Sequence, residues 1–169
     1  MEKRKVLVRP ASEADLPEIN RIYNDEILTG VASCDEAAWT IEKRRAWFAT
    51  HDERTPVLVA EVDGRFGGFA YLSLMSDKSG WRLTREDTIY LDPEFRGRGV
   101  GRVLLEALLE EARALRLQLV VASITTDNEA SIELHRKLGF EVVGTLRQAG
   151  LKFGRRLDTC YMQLVLGES

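Results

Sequence analysis

The residues of this chain best suited to chemistry stand together in Arg96-Gly97-Arg98-Gly99-Val100-Gly101-Arg102. Strand-type residues precede them at Ile89-Tyr90-Leu91, and an apolar stripe of helical period follows. Such a strand-to-helix junction aims free backbone amides and the positive end of a helix dipole at an anion. Glycine lets the backbone approach a phosphate without interference from a Cβ. Arg96, Arg98 and Arg102 add guanidinium groups matched to phosphate oxygens. The chemistry calls for a pyrophosphate ligand and leaves its identity open. A Walker-type loop is excluded, because Gly-x-x-x-x-Gly-Lys-Ser/Thr needs a lysine and a hydroxyl that are absent. A dinucleotide fingerprint fits little better, since Arg102 occupies a place for a small residue and the hairpin upstream disagrees with a leading βαβ unit. A basic, solvated turn at a helix start is the other reading that the loop alone leaves open.

Composition narrows the setting. At 169 residues the chain is long enough to bury about two-thirds of its unfolded surface in one core, so one domain over residues 1–169 is expected. A formal net charge of -3 argues against a nucleic-acid partner, which usually requires a basic face. Any basic site is therefore local. Cys34 and Cys160 are too few for a disulfide framework, and no CxxC or Cys/His cluster suggests a metal. The opening Met1-Glu2-Lys3-Arg4-Lys5 lacks the apolar run of a signal peptide, and no stretch approaches the roughly 20 apolar residues of a membrane span. A soluble cytoplasmic protein with no membrane partner is expected. His51, among charged residues near a helix end, reads as surface.

The elements that must position the loop follow from periodicity. Val6–Pro10 reads as a strand, and Ser12 offers a hydroxyl cap to a helix carrying Leu16, Ile19, Ile22, Tyr23 and Ile27 at helical spacing. A second helix covers Ile41–Ala49. From Val57 the period changes to that of strands, with Val57–Val62 and Arg65–Leu72 joined by the two-residue turn Asp63-Gly64. Leu74–Leu83 reads as a loop and Asp87–Leu91 as a strand that Asp92-Pro93 ends. Val103, Leu104, Leu105, Leu108, Leu109, Ala112 and Leu115 mark an amphipathic helix. Gln118–Ile124 is a buried strand, Asn128–Leu138 a short helix closed by Gly139, and Glu141–Gly144 and Thr159–Leu166 are late strands. The order β-α-α-β-β-β-α-β-α-β-β predicts a mixed sheet with helices on both faces, in the α/β (α+β) class.

Ile89-Tyr90-Leu91-Asp92-Pro93-Glu94-Phe95-Arg96-Gly97-Arg98-Gly99-Val100-Gly101 resembles the acetyl-CoA-binding signature of the GNAT superfamily, Arg/Gln-x-x-Gly-x-Gly/Ala. Asn128, followed by Leu134-His135-Arg136-Lys137-Leu138-Gly139-Phe140, resembles its second signature at a matching distance. Across nearly its whole length the chain is similar to the phosphinothricin and methionine-sulfone N-acetyltransferase group. Ile22-Tyr23-Asn24, Arg45-Ala46-Trp47-Phe48, Trp81-Arg82 with Thr84 and Glu86, and Gly150–Arg155 support this. The resemblance implies a single GNAT domain with a mostly antiparallel sheet of about seven strands and about four helices, acetyl-CoA as co-substrate, no metal, and a homodimer.

It also implies roles. The amides of Gly97, Arg98, Gly99, Val100, Gly101 and Arg102 would hold the pyrophosphate. The edge of Ile89, Tyr90 and Leu91 would pair with the pantetheine arm, which Asn128 and Ser131 would touch. Acetyl transfer to an amine needs a base, because an amine of pKa above ~8 is mostly ammonium at pH 7. Glu86 matches the glutamate given that role in the resembled group, and a carboxyl beside Trp81 is expected to titrate high. His135 stands where most of the superfamily carries a tyrosine acting as general acid, and imidazole moves protons near neutrality. Trp81 and Arg82 are expected to recognise substrate, since a guanidinium matches a carboxylate and an indole covers an apolar side chain. Met75-Ser76 stands where the group often has an aromatic residue and arginine, and Cys34 where it usually has phenylalanine. The expected activity is acetylation of the α-amino group of a small amino acid or analogue. The alternatives are a peptide or protein N-terminus, a polyamine, or a silent CoA-binding module.

Overall fold

A computed structural model describes residues 5–167, so the charged opening Met1–Arg4 lies outside the described residues. Seven strands form one sheet in the order β1-β2-β3-β4-β5-β7-β6. They are β1 (Val6–Pro10), β2 (Val57–Val62), β3 (Arg65–Leu74), β4 (Thr84–Leu91), β5 (Leu119–Thr125), β6 (Glu141–Lys152) and β7 (Arg155–Val165). The helices are α1 (Leu16–Thr29), α2 (Ile41–Phe48), α3 (Val100–Ala114) and α4 (Glu129–Lys137). The chain order is the one expected, and every strand pair is antiparallel except β4 with β5, which α3 connects.

Two apolar clusters cover the two faces. On one, α3 buries Val100, Leu104, Leu105, Leu108, Leu109 and Ala112 against Leu58, Ala70, Leu72, Val120 and Ala122. Val103, read from sequence into this stripe, is 38% exposed, since it falls outside the arc that meets the sheet. On the other, α1 buries Leu16, Ile19, Ile22, Tyr23 and Ile27 against Val57, Val59 and Phe69. Asp63 and Gly64 turn with φ of 51° and 79°, the geometry that matches strand twist in a tight hairpin. Ser12 does precede the first helical turn, but its hydroxyl and amide both meet the Asp15 carboxylate, which also takes the Arg9 guanidinium.

The largest departure from the sequence reading is the β6–β7 ribbon, twelve and eleven residues long where two short strands were expected. Its first strand lacks the alternation that marks a half-buried strand, because residues 141–149 of the edge strand β6 are exposed on both faces. His51 is a second departure. It is half-buried, packed between Trp47 and Tyr71 with ring centroids 4.5 and 5.4 Å away, and its Nδ1 lies 2.8 Å from the Thr55 carbonyl. Burial pushes its pKa down.

Candidate active site

The site begins with a break in the sheet. β4 and β5 pair in parallel from Thr84↔Leu119 to Asp87↔Ala122 and no further. β4 runs on against β3 as far as Leu91, while β5 runs on against β7 as far as Thr125. The two strands part at Asp87, leaving one edge of Thr88, Ile89, Tyr90 and Leu91 without a ladder partner. Free edge groups of this kind are ready to pair with the amides of an extended ligand.

At the end of β4 the glycine loop does what its composition predicts. Gly97 and Gly99 have φ of 69° and 82°, and a Cβ built on either would meet nothing within 4 Å, so the space over the loop is open. Gly99 caps α3 without a side-chain bond. Among the described residues the amides of Gly97 to Arg102 find no acceptor, and the first to do so is Val103, 3.2 Å from the Gly99 carbonyl. Free amides, open space and the dipole of α3 together fit a pyrophosphate. The arginines are less uniform than expected. Arg98 has no partner among the described residues, Arg102 pairs with Glu106 at 2.7 Å, and Arg96 turns back to Glu26 and the Leu91 carbonyl, each at 3.3 Å. Gly101 serves packing, for a Cβ there would lie 3.1 Å from Leu91 Cδ1 and 3.3 Å from Leu134 Cδ2.

Where β4 and β5 part, a cavity of about 370 Å³ opens. Strand alternation sends Asp87, Ile89 and Leu91 to the α3 face and Glu86, Thr88 and Tyr90 to the α1 face. The split lets the cavity run through the sheet, so Glu86 enters it from one face and His135, on α4, from the other. Asn128 caps α4, its side chain accepting from the Ser131 amide at 3.2 Å, and both residues line the cavity. Glu86 has no hydrogen-bond partner among the described residues. Burial, reinforced by the charge of Asp87, raises its pKa above the usual carboxylate range. Trp81 has no part in this: it is 46% exposed and outside the cavity lining. Arg82 lines a separate groove with Arg54, Lys78 and Arg85. The structure thus brings Glu86, His135, Asn128, Ser131, Ile89 and Tyr90 to one cavity and leaves Trp81 and Arg82 outside it.

His135 is 1% exposed, with Nδ1 2.7 Å from the Ser131 carbonyl and Nε2 3.0 Å from Asp87 Oδ1. Burial alone would lower its pKa, but the Asp87 charge and the two hydrogen bonds outweigh it, and the net shift is upward.

Of the wall built by residues 32–35, sequence reasoning singled out Cys34 alone. Asp35 lines the cavity, its Oδ2 accepting from Tyr23 Oη at 2.6 Å and Trp39 Nε1 at 2.9 Å. The loop is pinned by Thr125 Oγ1 donating to the Val31 carbonyl at 2.8 Å, by buried Lys152 donating to the Ser33 carbonyl at 2.6 Å, and by Ala32 donating to Glu26. The first two pairs stand 94 and 119 residues apart, and no local pattern signals them. Asp87 was also missed, although an acidic pair directly before the cofactor strand was a visible signal. Among the described residues, no arginine or lysine lines the cavity, and no group of three His, Cys, Asp or Glu is placed to hold a metal ion.

Known proteins are similar to this chain over nearly its whole length. The chain is 44% identical over 161 residues to an L-methionine sulfoximine/L-methionine sulfone acetyltransferase of Pseudomonas aeruginosa, covering 94% of each chain. It is 39% identical over 165 residues to an L-amino acid N-acyltransferase of Escherichia coli, covering 95% of this chain and 94% of that one. A phosphinothricin acetyltransferase of Sinorhizobium meliloti, solved in complex with acetyl-CoA, superposes with a TM-score of 0.92 at 38% identity, covering 96% of this chain and 89% of that one. The profile of the acetyltransferase (GNAT) family matches residues 18–140, the stretch that holds the split strands, the glycine loop and His135. With the anion cradle and the parted strands in place and that match spanning them, the chain belongs to the GNAT acetyltransferase family.

Proposed function

We propose that this acetyl-CoA-dependent N-acetyltransferase acts on the α-amino group of a small amino acid or analogue of the methionine sulfone and phosphinothricin class. The observation that carries the reading is the cavity that Glu86 and His135 enter from opposite faces of the split sheet. In this reading Glu86 accepts the proton that the amine nitrogen must lose, and its raised pKa brings it nearer to an amine's than that of an exposed carboxylate. The free amides of Gly97 to Arg102 hold the pyrophosphate of acetyl-CoA, Asn128 and Ser131 meet its pantetheine arm, and the open β4 edge aligns that arm. Acetyl-CoA supplies the activated acyl group. His135 supports proton delivery to the departing sulfur.

One observation favours a second reading. Asp35, Glu86 and Asp87 line the cavity with no arginine or lysine beside them, and Met75-Ser76 stands where the similar group often carries arginine. An acidic, cation-free lining suits an amine without a free carboxylate, such as a polyamine or a peptide N-terminus. Thiol release from acetyl-CoA, measured with methionine sulfone, phosphinothricin, their amides and a polyamine series, separates the two. The first reading expects the free amino acids to give the highest kcat/KM. It is abandoned if only the carboxylate-free amines turn over.

The chain is also proposed to act as a homodimer in the cytoplasm. Val142, Val143 and Leu146 on β6 are 50%, 61% and 53% exposed, an apolar edge that a second copy would cover. Cys34 and Cys160 are both free thiols, as a reducing compartment requires.

A further inference from the structure

A lysine is almost never fully buried unless a carboxylate pairs with it. Lys152 of β6 is 1% exposed and has no carboxylate partner among the described residues. The carboxylate of Glu26 is engaged elsewhere, Oε1 by the Ala32 amide at 2.9 Å and Oε2 by Arg96 at 3.3 Å. Lys152 Nζ meets backbone instead, 2.6 Å from the Ser33 carbonyl and 3.5 Å from that of Glu26. Taking an amine out of water for two carbonyls is costly, so the placement calls for a reason. α1 has no basic side chain in its last turn, and Lys152 brings from a distant strand the cation that suits a helix C-terminus. The same amine fixes the loop that follows. Thr125 and Glu26 hold this loop at Val31 and Ala32, and Lys152 holds it at Ser33, directly before Cys34 and Asp35. The ribbon meets the loop a second time, for a Cβ on Gly150 would lie 3.1 Å from Cys34 Sγ. Ser33, Cys34 and Asp35 line the cavity that Glu86 and His135 enter, whereas Gly150, Lys152 and the glycine loop do not.

We propose that Lys152 is a positioning residue for the acceptor amine. Its Nζ holds the Ser33 carbonyl, and with it the wall formed by Ser33, Cys34 and Asp35, in the place that the amine requires. This rests on the acetyl-transfer reading above. Lys152 stands outside the cavity lining and acts only through the wall. The glycine loop and the free β4 edge belong to other elements, so the hold bears on the amine and leaves acetyl-CoA binding alone. The tip of the β6–β7 ribbon thereby takes part in choosing the amine.

The test is Lys152→Met, which keeps the reach of the side chain and removes the donor. With acetyl-CoA and an accepted amine, KM for the amine is expected to rise about 10- to 100-fold, with KM for acetyl-CoA little changed. A lysine that served stability alone would lower the melting temperature and leave both KM values as they were. In the cofactor-free protein, the Trp39 indole N–H, which donates to Asp35 at 2.9 Å, reports the wall directly. Its NMR signal is expected to move in the variant, while the amide signals of Gly97, Gly99 and Gly101 stay in place. Should Lys152→Met fail to fold, Gly150→Ala crowds Cys34 from the same ribbon and is read in the same way. The proposal is overturned if KM for the amine is unchanged in the folded variant, if both KM values rise alike, or if the Trp39 signal does not move. Since the NMR reading needs no turnover, a parent chain that acetylates no amine defeats the acetyl-transfer reading separately.

Discussion

Glu86 and His135 were legible in the sequence because each sits at a fixed offset from a short signature, Glu86 just before Ile89-Tyr90-Leu91 and His135 within Leu134–Phe140. Their electrostatics were not legible. The expected neighbour of Glu86 was Trp81, whereas burial in the strand split and the charge of Asp87 raise its pKa. A base works as its carboxylate, so the acid limb of kcat/KM is expected to rise with pH through the raised pKa, above the 4.5 of an ordinary glutamate. Glu86→Gln is expected to lower kcat/KM about 10²- to 10⁴-fold and to abolish that limb. A pH profile of thiol release checks both, and an unchanged acid limb in the variant removes Glu86 from the role of base. Asp35 escaped notice altogether, because its place in the cavity depends on Tyr23 of α1 and on a loop held by Thr125 and Lys152 from distant strands.

At the scale of elements, the junction of β4 with α3 is the proposed seat of the cofactor's pyrophosphate and is almost wholly local. Three glycines within five residues require both positive φ and close approach, and both are found, at Gly97 and Gly99 for the first and at Gly101 for the second. Gly99→Ala places a Cβ at φ of 82°, which costs about 1–2 kcal/mol in the left-handed region. Chemical denaturation is expected to show a loss of that size. Calorimetric titration is expected to show weaker CoA binding, since the amides from Gly99 onward must shift to relieve the strain. A variant with full stability and full affinity contradicts the account of the loop. The β6–β7 ribbon is the opposite case. Its strands hold together by ladder bonds and carry no buried stripe over residues 141–149, so hydrophobic alternation had nothing to report.

For the whole molecule, that ribbon is where assembly is expected. An edge strand with exposed Val142, Val143 and Leu146 is a template for a second chain. Sedimentation equilibrium is expected to give twice 19.1 kDa for the parent chain. Leu146→Lys is expected to give the mass of one chain with the fold retained, and a dimer unaffected by that change places the interface elsewhere. By itself the sequence determined the order of elements, the anion cradle and the class of ligand, because periodicity, glycine conformation and helix-terminus amides act over a few neighbouring residues. Only the tertiary structure decided where β4 and β5 part, that Glu86 and His135 reach one cavity from opposite faces, that Asp35 and Asp87 join them, and that Trp81 and Arg82 do not. Those outcomes depend on strand register and on contacts such as that of Lys152 with Ser33, 119 residues apart, and no local pattern encodes the meeting of such distant groups.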